Sequence, residues 1–104
     1  MEDGAPSISA EVLGAYAADA ACEVAGVTGM AEGARHRHRG VRVTGGGDEL
    51  ALELHVTAEW GASIPELGAA VQHRVAGYLQ RMAGVSPAAI DVVVDGISPP
   101  PPQT

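Results

Sequence analysis

The stretch ELALELHVTAEW, residues 49–60, decides the fold. Leu50, Leu52, Leu54, Val56, Ala58 and Trp60 fall on one face of an extended chain, and Glu49, Ala51, Glu53, His55, Thr57 and Glu59 fall on the other. Successive side chains of a strand point to opposite sides. An apolar row opposite a largely polar one therefore predicts a sheet buried on one side and open on the other. Something must cover the apolar side, and the sequence to either flank supplies it.

Immediately downstream, GASIPELG (61–68) leaves the strand and opens a helix. Ser63 with Glu66 three residues on has the pattern of a capping box, and Pro65 sits in the first turn, where its missing N–H costs nothing. Ile64, Leu67, Val71, Val75, Tyr78 and Met82 then recur at spacings of three and four, one apolar stripe. Gly84 and the Ser86-Pro87 pair end it. Upstream, VRVT (41–44) alternates and GGGD (45–48) is a turn by composition, so 41–60 predicts a β-hairpin. Further upstream, Ser9 is a suitable N-cap, with Ile8 and Leu13 at the spacing of a hydrophobic staple. Leu13, Tyr16, Ala17, Ala20 and Val24 form the stripe of a helix of about 16 residues that Gly26 can end, with Glu11, Ala15, Ala18 and Cys22 opposite. GVTGMAEGARHRHRG (26–40) shows no periodicity and predicts a loop. At the far end, AIDVVVDGI (89–97) alternates Ile90, Val92 and Val94 against Asp91, Val93 and Asp95, before a polyproline run at 99–102.

The expected architecture is a single α+β domain over residues 8–97 in the order α-β-β-α-β. It is a three-stranded sheet with two helices packed on one face, between disordered termini at 1–7 and 98–104. Which hairpin strand the last strand pairs with stays open; a parallel pairing would make the crossover right-handed.

Composition narrows the functions. At 104 residues with 3% aromatics and no Phe, the core must be built from Val, Leu, Ile and Ala. Small side chains bury little area, at roughly 25 cal/mol per Å², so self-association is a ready source of extra stability. The net charge of −7 counts against nucleic acid or anionic membrane as a partner for the whole surface. One Cys excludes an internal disulfide and fits a reducing compartment. No apolar run approaches the length of a membrane span, and MEDGAPS is not an export signal. The expectation is a cytoplasmic protein without direct membrane insertion.

Candidate chemistry is sparse. His36 and His38 within RHRHR offer ligands at i and i+2 with no thiolate or carboxylate pair beside them, a poor zinc set. Arg35, Arg37, Arg39 and Arg42 hold four of the six positive charges, a candidate electrostatic contact for an acidic partner, a second copy or phosphates. Gly26-Val27-Thr28-Gly29 is a GxxG that, with RHRHR, supports an alternative as a small KH-like RNA-binding module. Its middle pair carries no basic residue, and stacking aromatics are scarce. Cys22 has no His at helical spacing to activate it, and His55, Glu53 and Glu59 share the open sheet face without a nucleophile. The reading is no enzyme, no metal and no cofactor. Ala69, Ala70, Ala76 and Gly77 leave the outer face of the second helix small-sided around His73, which suits a close protein neighbour. Trp60, with Gly61 and Ile64 behind it, is either the lid of the core or an interface anchor.

Four blocks in order resemble the alkaline shock protein family, the envelope-stress proteins of Gram-positive bacteria. They are ISAEVLGAYAADAACEVAGVTGM (8–30), LALELHVTAEWGASIPEL (50–67), VQHRVAGYLQRMAGV (71–85) and IDVVVDGI (90–97). The family's Glu-Val-x-Gly-Val-x-Gly-Met is matched by Glu23, Val24, Gly26, Val27, Gly29 and Met30. Its Tyr-Gly-x-Ser-Ile-Pro-Glu corner is matched by Gly61, Ser63, Ile64, Pro65 and Glu66, with Trp60 in the Tyr position. Its Ile-Ser-Pro-Glu-Val start is matched with Ala10 in the Pro position. The resemblance implies a non-enzymatic, self-associating protein of envelope homeostasis, tethered in many members through an integral membrane partner. Many members have a longer segment between Met30 and Val41, where this chain has only AEGARHRHRG, a departure from the pattern that leaves open any role of that segment in polymerisation or docking.

Overall fold

The computed structural model describes residues 9–31 and 40–99. Helix α1 spans Ala10–Cys22, strands β1 and β2 span Val27–Met30 and Val41–Thr44, and a 3-10 turn at Gly47–Glu49 leads into β3, Ala51–Glu59. Helix α2, Ile64–Ala83, then crosses over to β4, Ala89–Ser98. The class is α+β, as the alternation of residues 49–60 requires.

Strand β3 is the centre of a mixed sheet. On one side it pairs antiparallel with both β2, Val41 opposite Leu54 through Thr44 opposite Ala51, and β1, Val27 opposite Ala58 through Met30 opposite Val56. The two short strands therefore lie end to end along one edge. On the other side β4 runs parallel to β3 along its whole length. That settles the partner of the last strand: it is the long one. The sheet has four strands rather than three, because the segment expected to be loop from residue 26 begins with β1. Where the two short strands meet, the Ala31 N–H donates to the His55 carbonyl and the Gly40 carbonyl accepts from the His55 N–H.

Both helices cover the face carrying Leu50, Leu52, Leu54, Val56 and Ala58, all buried. From α2 the core takes Leu67, Val71 and Val75 from the middle of the predicted stripe, and then Leu79 in place of the expected Tyr78, which is only partly buried, while Met82 stays exposed. From α1 it takes Leu13, Gly14, Ala17, Ala18, Ala20 and Ala21. The stripe by itself puts Ala18 on the outer face. It is inside because α1 packs on α2 as well as on the sheet, which widens its buried arc. Tyr16 and Tyr78 meet edge to face at 5.9 Å between the helices. Cys22 is exposed, as its position predicts.

Two helix ends differ in how they are made. Ser9 caps α1 through its hydroxyl, which accepts from the Val12 N–H at 3.1 Å. Ser63 is the N-cap of α2 by backbone position, but its side chain makes no cap hydrogen bond, so the predicted capping box is not closed. An N-cap oxygen accepts from the second or third helical N–H, and here the second belongs to Pro65, which has none. Gly84 ends α2 in the left-handed conformation, as predicted. Strand β4 runs through Ser98, one residue beyond the expected domain end. The expectations for 1–7 and for 100–104 lie outside the described residues.

Candidate functional site

The Trp60 corner follows directly from the end of β3. Glu59 is the last strand residue, its N–H donating to the Gly26 carbonyl, and Trp60 donates its own N–H to the Ser98 carbonyl at the end of β4. The chain then turns at Gly61, which holds a positive φ of 89°, and enters α2. This turn swings Trp60 off the inward row it would otherwise extend. It is 65% exposed, so of the two readings left open it is no lid of the core. Ile64, in the first turn of α2, is 39% exposed, and Ile97, opposite Ala58, is 47% exposed. These three large apolar side chains share one end of the sheet.

Beside them lies a shallow groove of about 410 Å³ lined by Ala25, Gly26, Glu59, Ala62, Ser63, Glu66, Leu67 and Ala70. It forms where the chain leaving α1 meets the start of α2. Gly26 makes that approach possible: its φ is 98°, and a Cβ there would lie 2.9 Å from Leu67 Cδ1. Ser63, Pro65 and Glu66 stand on the exposed side of this corner. Gly29 and half-buried Met30 lie in β1 opposite Thr57 and Val56.

The remaining candidates fall elsewhere. Ala69, His73, Ala76 and Gly77 point away from the core row of α2, on the opposite side from Ile64 in azimuth. The structure thus divides the proposed contact residues between two surfaces, the corner and the outer face of α2. A Cβ on Gly77 would meet nothing within 4 Å, so no neighbour among the described residues requires that glycine. Arg42 is exposed on the outer sheet face opposite Glu53. Arg35, Arg37 and Arg39, with His36 and His38, lie outside the described residues. The GxxG at 26–29 does not form the connecting loop of a KH module: it runs into edge strand β1, its backbone committed to β3. The RNA-binding alternative loses its loop on that ground.

One arrangement is not legible in the sequence. His55, at the middle of the open face, is 8% exposed. Its Nε2 lies 2.5 Å from Glu53 Oε2 and its Nδ1 2.6 Å from Asp95 Oδ2. Burial lowers its pKa, but the hydrogen bonds that Glu53 and Asp95 accept and their charges outweigh that and leave it above the ordinary 6.5. Further along the same face Thr28 Oγ1 joins Thr57 Oγ1 at 2.7 Å and Ser98 Oγ at 2.9 Å. Cys22 is pushed up by burial and by Asp19, away from a reactive thiolate. Among the described residues no group of three or more His, Cys, Asp or Glu could hold a metal ion, and no helix is long and apolar enough to cross a membrane.

No curated protein matches the chain. Solved structures do. The manganese form of a singly substituted MamM CTD matches with a TM-score of 0.62 at 20% identity, covering 85% of this chain and 99% of that one. A second MamM CTD variant gives 0.63 at 19% identity over 85% and 98%, and a nickel form gives 0.61 at 19% over 83% and 96%. At such identity the likeness is one of fold. The family model that matches residues 1–99 is that of alkaline shock protein 23, a family of cell envelope-related function. With nearly the whole sequence spanned by that model and its glycine and Ser-Ile-Pro-Glu motifs assembled at one corner, the chain belongs to the alkaline shock protein 23 family.

Proposed function

We propose that this domain is a non-enzymatic, self-associating scaffold of envelope homeostasis whose primary contact is the Trp60 corner. One observation carries the reading: the single tryptophan, 65% exposed, sits with exposed Ile64 and Ile97 at one end of the sheet. Exposed large apolar side chains gathered in one place, with a tryptophan among them, are the usual makings of a protein contact. A core rich in alanine supports the same view, because burying this end against a second copy adds apolar area that the fold by itself lacks. The outer face of α2 with Ala69, His73, Ala76 and Gly77 is a second contact in this scheme, for another copy or for an integral membrane protein that tethers the cytoplasmic assembly to the envelope.

Light scattering on the purified chain at low and high salt tests it. An oligomer that persists at high salt and falls to monomer in Trp60→Ala, with circular dichroism unchanged, is the expected result, since apolar contacts are little screened. A monomer under every condition would refute the scaffold reading. An assembly that salt dissolves and Trp60→Ala leaves intact would move the contact to the arginines.

A further inference from the structure

A histidine on an open sheet face is ordinarily solvated, yet His55 is almost fully buried there and both ring nitrogens face carboxylate oxygens. We propose that Glu53, His55 and Asp95 form a protonation-dependent clamp: the imidazolium ties β3 to the bulged end of β4, and loss of its proton frees that end. Only the cation can donate from both nitrogens at once. A neutral ring has one N–H, so its other nitrogen turns a lone pair toward a carboxylate and one of the two bonds is lost.

The geometry rests on the bulge. Register shifts between Val56 and Thr57, so that Val94 lies opposite Val56 and Gly96 opposite Thr57, and Asp95 is the extra residue. Bulges re-aim a side chain, and this one brings Asp95 onto the ring. Beyond it, Ser98 accepts from the Trp60 N–H and joins Thr28 and, through Thr28, Thr57. The stretch of β4 that the clamp holds is therefore the stretch that anchors the corner. Among the described residues, the charged groups around the ring come from three strands: Glu53 on β3, Asp91 and Asp95 on β4, and Arg42 on β2 opposite Glu53. β1 contributes none, and both helices lie on the other face. Arg35, His36, Arg37, His38 and Arg39 lie outside the described residues, in the segment that joins Ala31 to Gly40. A group held above its ordinary pKa stabilises most when protonated, so the clamp acts fully below about 6.5 and is lost as pH rises through the midpoint of His55. The clamp stands whether or not the corner mediates assembly.

The test follows the His55 ring proton by NMR in the full chain from about pH 5 to about pH 9, with urea unfolding at both ends for wild type, His55→Gln and Asp95→Asn. The expected midpoint lies above 6.5 and falls in Asp95→Asn. Between the acid and alkaline ends the wild-type unfolding constant should rise by about tenfold for each pH unit separating that midpoint from the ordinary value. This increment should vanish in His55→Gln, where His36, His38 and His73 remain and cancel in the comparison. A midpoint at or below 6.5, or the same pH dependence in His55→Gln as in wild type, overturns the clamp. Should His55→Gln not fold, Asp95→Asn decides: an unchanged midpoint, or no faster amide exchange at 95–98, overturns it equally.

Discussion

Two serines and a glycine show how single residues set this fold. Ser9 and Ser63 both precede helices, and sequence gives them the same role, yet only Ser9 closes a cap hydrogen bond. Ser9→Ala should cost about 1 kcal/mol, whereas Ser63→Ala should change stability by a few tenths at most. Urea titrations of the two variants check the contrast; equal losses would mean that Ser63 caps α2 in solution. The sequence reads Gly26 as a helix end, but α1 stops at Cys22 with Glu23 as its C-cap, and the duty Gly26 does have is not readable there. That a Cβ would strike Leu67, 41 positions along the chain, depends on where α2 starts in space. Asp95 was hidden in the same way. Alternation put it on the face of His55, but the contact needs the parallel register of β4 and a bulge, and neither leaves a mark in the local pattern. Trp60 had the parity of a core residue, and one turn at Gly61 sent it outward.

At the scale of elements, the long periodic segments were legible and the short irregular one was not. β3 and α2 declare themselves because period 2 and period 3.6 persist over 9 and 20 residues. β1 has four residues, a glycine among them, and its own register shift between Val27 and Gly29. No alternation survives that, and the strand exists because β3 has an edge for it to join. α1 is so rich in small side chains that its buried arc could not be narrowed from spacing alone. Gly77 belongs to this scale too. It lies mid-helix with open space around it, so Gly77→Ala should raise stability by about 0.5–1 kcal/mol through helix propensity. Thermal unfolding gives the stability, and light scattering on the same sample separates the scheme's two contacts. Loss of assembly in a more stable variant would place a close neighbour against α2, while an unchanged mass would leave the corner to act without it.

The whole molecule is one sheet with an apolar side sealed by helices, a polar side open around His55, and one end studded with exposed apolar groups. Membership of the alkaline shock protein family and the α+β class were visible from the sequence because both depend on local blocks in order. The division of the contact residues between the corner and α2 was not, since it depends on how the elements are set in space. A last consequence comes from the edge of the sheet, where Ala31 and Gly40 are bonded to the two backbone groups of a single residue, His55. Among the described residues, the pairing of β1 and β2 with β3 is made by 27–30 and 41–44, on either side of those two bonds. Such a site is a natural splice point. A flexible epitope or small reporter placed within 32–39 should be carried at little cost, about 0.6 kcal/mol for each doubling of the segment's length. Matching melting curves for the parent and the tagged chain would show that this domain can be labelled from the inside, with both of its ends left untouched.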